Sequence, residues 1–138
     1  MKCYEPGCGG KTRIKFYVHT TVVGKNQVED GTMALHTCER CDAPVITGGI
    51  WQRYEQNAAE VLLTNPKAIF DGEVIKFVRK VIGLRQVDLA KRLGCRAEQI
   101  SRYEASKRPE QWLRMAMLGL LLESRFKVTP EGIQLKAS

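Results

Sequence analysis

No stretch of this chain is apolar for long enough to cross a bilayer. The most apolar run, Ala116 to Leu122, falls well short of the ~18–20 residues a spanning helix needs. The N-terminus also lacks the apolar core of a secretion signal. The expected location is therefore the cytoplasm, with no membrane partner. Histidine is scarce: there are two in 138 residues. No Ser/His/Asp or Cys/His set is available to build an activated nucleophile, so an enzyme is not the expected class. No internal repeat or low-complexity segment is present. The first half lacks any charge excess, since residues 1–65 hold seven Lys/Arg and seven Asp/Glu. That balance argues against a nucleic-acid surface there.

Against those absences stand four cysteines in two pairs, Cys3-x4-Cys8 and Cys38-x2-Cys41. Thiols stay reduced in the cytosol, where paired cysteines favour a metal over disulfides. Four thiolates suit tetrahedral Zn2+ and leave no coordination position open, so the expected role is structural. Structural zinc peptides gain ~10–16 kcal/mol on binding, more than so short a β-segment gains by apolar burial. The alternative is four free, buried cysteines. His36, two residues before Cys38, is a surface or packing residue or a substitute ligand. His19 has no ligand-like context. Cys95 stands alone and reads as core.

The basic excess lies entirely in the second half. Residues 66–138 hold fifteen Lys/Arg and eight Asp/Glu, the whole of the +7 net charge. A neutral half joined to a basic half implies that only one of them meets a polyanion. The expected boundary is Thr64-Asn65-Pro66, giving a zinc-binding module with a linking helix (1–65) and a DNA-binding and dimerisation domain (66–138). Ile14, Phe16 and Val18 alternate with Arg13, Lys15 and Tyr17, as in a strand with one buried face. Gly24-Lys25-Asn26 and Glu29-Asp30-Gly31 read as turns, and Met33 to Thr37 as the strand that delivers Cys38. Trp51, Tyr54, Ala58, Val61 and Leu62 form one helical stripe over 50–63. Four more helices are expected: one capped by Asp71, then about 86–93, about 97–105, and one after Pro109 reaching about Glu123. The tail alternates on either side of Pro130-Glu131-Gly132, which points to a short β-hairpin. The fold class is α+β: a β-rich metal module, a linking helix and an all-α domain.

Within the second half, Leu89 and Leu93 share a helix face, and Ala90 is small enough for close approach. Gly94 suits a positive-φ turn, and Ile100 points back to the same core. This is the pattern of a helix-turn-helix. With Leu84-Arg85-Gln86, Leu89-Ala90, Gly94, Ile100-Ser101-Arg102-Tyr103-Glu104 and Lys107-Arg108-Pro109, residues 73–122 resemble the phage-repressor-like (XRE) family. That resemblance implies that the third of the four helices enters the major groove. It places Ala97, Glu98, Gln99 and Arg102 at bases and Gln86 at a phosphate. Arg102 can grip guanine O6 and N7 together; the alternative is a solvated arginine. Glu98 accepts from cytosine N4 or deters wrong sequences. Lys107 and Arg108 are candidate phosphate contacts or a solvated charge pair. Tyr103 is expected between helices, and Glu104 in an internal ion pair. Where the family caps two helices with Ser or Thr, this chain has Arg85 and Arg96. Losing a cap costs about 1 kcal/mol, so both arginines are expected to contact phosphates.

The whole order resembles the MqsA/YgiT antitoxin family, through Met1-Lys2-Cys3, Cys38-x2-Cys41, Ile75 to Lys80 and Ser101 to Glu104. Glu98 stands where that family has a base-reading asparagine, and the first cysteine pair is two residues wider. The resemblance implies a toxin bound by residues 1–65, and a homodimer that represses its own operon at a palindromic DNA operator. A solitary zinc-containing XRE-family repressor is the alternative. Independently, the helix after Pro109 is apolar nearly all round. Trp112, Met115, Leu118 and Leu122 are the expected dimer interface; the alternative is burial under the C-terminal hairpin. Two further classes compete less well: a zinc enzyme, and a zinc module that itself binds RNA.

Overall fold

The computed structural model describes residues 2–45, 48–129 and 132–135. It is a mixed α+β structure. Strands β1 (Thr12–Val23), β2 (Asn26–Cys38) and β3 (Pro44–Val45) form an antiparallel sheet in the order β1-β2-β3. Five helices follow: α1 (Gly48–Thr64), α2 (Gly72–Ile82), α3 (Gln86–Leu93), α4 (Ala97–Ala105) and α5 (Gln111–Arg125). Strands β4 (Phe126–Thr129) and β5 (Gly132–Leu135) pair antiparallel. The alternating tail thus forms the expected hairpin, whose turn residues 130–131 lie outside the described residues. No helix among the described residues is long and apolar enough to cross a membrane.

The β1–β2 ladder runs from Val23↔Asn26 beside the Gly24-Lys25 turn to Thr12↔Cys38 at the other end. At about 3.3 Å per residue, its ends are roughly 35 Å apart. Glu29-Asp30-Gly31 is no turn. It lies inside β2, where the register shifts opposite His19 and Thr20 and Asp30 becomes the extra residue of a bulge.

The orientation of β1 corrects the sequence reading. Ile14, Phe16 and Val18 are 59%, 73% and 63% exposed. The inward face is the other one, carrying Tyr17, His19, Thr21 and Val23. Its polar groups are satisfied there. Tyr17 and Thr37 hydroxyls lie 3.0 Å apart, and the His19 ring sits 5.0 Å from Trp51 and 5.4 Å from Tyr54. Alternation defines two faces of a strand; which one is covered is decided by the elements that pack on it.

One cluster of buried residues holds the rest together. Val23 and Val28 from the hairpin join Ala58, Ala59, Leu62 and Leu63 of α1, Val74, Ile75 and Val78 of α2, and residues from α3 to α5. The core therefore runs across residue 65, where the sequence changes character. The inner stripe of α1 is also rotated from the expected one, since Trp51 is 39% exposed while Ala59 and Leu63 are buried. Asn26 fastens the hairpin turn to this body. Its side-chain N–H donates to Ile69 O at 2.8 Å, and its carbonyl oxygen accepts from Ile69 N at 2.7 Å.

Arg114 of α5 closes the C-terminal end of α1. Its guanidinium donates to the carbonyls of Leu63 (2.8 Å), Asn65 (2.6 Å) and Leu62 (3.4 Å). A cation there meets the orphan carbonyls and the negative end of the helix dipole. A second pair, Arg125 with Glu60, joins the same two helices. Arg114→Ala is expected to lower stability by about 1–2 kcal/mol, because three charged hydrogen bonds to exposed and part-buried carbonyls at the end of α1 are lost together. Urea unfolding measures it, and Arg114→Lys should recover only part.

The helical segment is punctuated locally. Asp71 caps α2 by accepting from Val74 N at 3.1 Å, and Gly83 ends that helix with φ +87°. Gly94 ends α3 with φ +71°, so a three-residue turn (94–96) reverses the chain into α4. Pro109 lies two residues ahead of α5, not at its first helical position; Glu110 intervenes as the cap residue.

Candidate functional site

The four paired cysteines converge. Cys3 and Cys8 lie on the segment leading into β1, while Cys38 ends β2 and Cys41 follows in the next turn. Cys3 Sγ and Cys41 Sγ are 3.6 Å apart, as are Cys8 Sγ and Cys38 Sγ. All four sulfurs lie within 4.8 Å of one another. A Zn–S bond of ~2.3 Å implies tetrahedral S···S edges near ~3.8 Å. The backbone prepares the sulfurs for negative charge: Arg40 N and Cys41 N donate to Cys38 Sγ at 3.3 and 3.4 Å, and Glu5 N donates to Cys3 Sγ at 3.4 Å. The Cys41 and Arg40 N–H groups hold the Cys38 thiol down to about 6. Cys41 goes the other way, to about 12. The Ala43 N–H favours its thiolate but is outweighed by desolvation and by the sulfurs of Cys3, Cys38 and Cys8. So crowded a set ionises together only around a cation.

Gly10 makes room for the cluster. A Cβ on it would stand 2.7 Å from Cys38 Sγ and 3.1 Å from Arg40 Cβ. Arg40 spans the two knuckles by donating to Cys8 O at 2.7 Å. The site can therefore coordinate a metal ion, and its all-sulfur donor set fits Zn2+. His36 stands outside it, with Nδ1 3.3 Å from Thr12 Oγ1.

The second group of candidate residues lies on α3, α4 and the loop after them. Arg79 of α2 braces it. Its guanidinium donates to Glu104 Oε2 and Oε1 at 2.8 and 3.1 Å and to Leu84 O at 3.0 Å. The side chains of this pair are 11% and 6% exposed. Gln86 Nε2 donates to the same Glu104 at 3.3 Å, so Gln86 helps to join the start of α3 to the end of α4. Gly72 lets α2 reach α4: its N–H donates to Ser106 O at 2.8 Å, and an added Cβ would fall 2.2 Å from Glu104 O.

On this frame Ile100 is buried, whereas Glu98, Gln99 and Arg102 are exposed and Ala97 is half-buried. Gln99 Nε2 donates to the Tyr103 hydroxyl at 2.7 Å, and the Tyr103 ring packs edge-on against Trp112 at 6.3 Å. Tyr103 and Glu104 therefore have the internal roles expected of them. Arg85, Arg96, Lys107 and Arg108 are exposed. The missing cap before α3 has a local replacement. Asp88 accepts from Arg85 N at 3.1 Å and from its guanidinium at 2.9 and 3.2 Å. That guanidinium holds the Asp88 carboxyl below the ordinary carboxylate range. Along α5, Trp112, Met115 and Leu122 are 47%, 70% and 37% exposed, and Leu118 is half-buried.

Gly10, Gly72 and Arg79 support these sites without having been singled out in the sequence. No protein-family model matches this chain, and no curated protein is similar to it in sequence.

Proposed function

We propose that this protein is a sequence-specific, dimeric transcriptional regulator whose α3–turn–α4 unit is a helix-turn-helix of the phage-repressor type. Its zinc-held hairpin is the docking arm for a protein partner, as in an antitoxin that represses its own operon. The observation that supports this best is the two-sidedness of α4. Ile100 is fully buried, and Arg79 and Gln86 grip Glu104 from within, while Glu98, Gln99 and Arg102 project outward. A rigid helix offering a guanidinium, a carboxylate and one amide is suited to base readout. The basic surplus of residues 66–138 supplies the phosphate attraction. Trp112, Met115, Leu118 and Leu122 supply the two-fold contact that a palindromic operator requires.

Fluorescence anisotropy on DNA from upstream of the gene tests the reading. Arg102→Ala should weaken binding by about 1–3 kcal/mol and relax preference at one base position. Arg96→Gln should lower the log–log salt slope by about one. Arg96 is the sharper test of the two cap arginines, because Asp88 already holds Arg85. An unchanged slope would reject the phosphate role. Sedimentation as a monomer at micromolar concentration would reject the dimer. Co-expression with each neighbouring reading frame decides whether the partner is a toxin. If none of them is toxic, the same sites describe a solitary zinc-containing repressor.

A further inference from the structure

We infer that β1 is a strand-addition site for an extended protein segment that alternates apolar and acidic residues. This deepens, and rests on, the reading of the metal-held hairpin as a partner-binding arm. β1 is the edge strand of its sheet, twelve residues long, and beyond the Lys2–Lys11 bridge no described strand pairs with its outer side. One face of it carries Ile14, Phe16, Val18 and Val22, the last of these 70% exposed. Together they expose on the order of 500 Å2 of side chain, at the upper end for one patch on a monomer. Long, apolar, uncovered edges are a hazard that proteins ordinarily blunt, and here the extra residue of the bulge opposite His19 and Thr20 belongs to β2, not to the edge strand.

The charge pattern selects the occupant. Lys11, Arg13 and Lys15 alternate with the apolar residues. A segment with Asp or Glu at alternate positions meets them with opposite charge and lays its own apolar side chains beside Phe16. Main-chain hydrogen bonds would supply affinity and the alternation specificity. Among the described residues Lys15 pairs with Asp42 at 3.2 Å, an exposed pair that a partner carboxylate can replace.

The test uses the full zinc-loaded chain and two peptides of about ten residues, one alternating valine with glutamate and one valine with lysine. The valine–glutamate peptide should bind about tenfold more tightly at low salt and lose that advantage as salt rises. Hydrogen exchange should show new protection within 13–22. Phe16→Glu should weaken binding about tenfold or more while leaving zinc content and melting temperature unchanged, since Phe16 is 73% exposed. Equal binding of both peptides, or an unaffected Phe16→Glu variant, would overturn the inference. Protection only at the cysteine end would also overturn it but leave the arm as a partner surface. No protection anywhere in 2–45 would count against both.

Discussion

Stripping zinc from the zinc-loaded protein, or replacing Cys38 by serine, is expected to release the far end of the hairpin and leave the helical body folded. The cysteine cluster has little else to hold it. Cys38 is its buried member, Cys3 and Cys8 are half-buried and Cys41 is exposed. The remaining bonds there are few: the Arg40 guanidinium to Cys8 O, and backbone pairs such as Cys3 N to Gly10 O and Cys38 N to Ala43 O. A structural zinc contributes ~10–16 kcal/mol to such a module, far more than those contacts. The turn end differs, because Val23, Val28 and Asn26 are packed into the helical core. Chelation should therefore abolish amide protection around residues 2–15 and 35–45 while leaving α1–α5 protected and helical circular dichroism nearly intact. Cys38→Ser should lower metal affinity by more than about a hundredfold, since it removes a ligand together with the sulfur that two backbone N–H groups address. Cooperative loss of all helix signal on chelation would show that the metal holds the whole fold.

Among the described glycines, Gly72 is where an added methyl should be most damaging. The added Cβ would sit 2.2 Å from Glu104 O, 2.4 Å from Glu104 C and 2.7 Å from Tyr103 O. All three are backbone atoms, which no rotamer change can move aside. The helices must part, and the Arg79–Glu104 bond and the Gly72 N–H to Ser106 O bond are stretched with them. A cost of about 3 kcal/mol or more is expected, at the high end for overpacking. The start of α2 and the end of α4 meet at this point, so the DNA affinity proposed for α4 should fall as well. Gly119→Ala is the matched control. There an added Cβ meets nothing within 4 Å, and replacing a helical glycine should stabilise by about 0.5–1 kcal/mol. Urea denaturation of the two variants side by side separates close approach from helix propensity.

What the sequence disclosed follows from the range of each signal. Residues 86–93 and 97–105 are helical as expected, and Asp71 caps α2, because caps, positive-φ glycines and apolar spacing act over a few residues. The cysteine cluster was legible for a different reason: two thiol pairs at short spacing have few uses other than a shared metal. The face of β1 was not legible. Ile14, Phe16 and Val18 have the right period, but exposure depends on α1, which packs on the opposite face through Trp51 and Tyr54. The attachment of α1 to α5 was likewise hidden. Arg114 meets carbonyls some fifty residues away, and nothing local to a surface-like arginine announces a distant helix end. Gly72 resembles any helix-start glycine until α4 is placed 2.2 Å from its missing side chain.

The central claim is that α4 reads DNA. The most direct measurement is binding of the zinc-loaded protein to DNA from upstream of its own gene, against scrambled DNA of equal length and composition, across a salt series. Binding to the upstream DNA should be tighter at every salt concentration, with most of that preference lost in Arg102→Ala and both affinities falling with salt. Equal affinity for the two DNAs, or a preference that Arg102→Ala leaves intact, would contradict it.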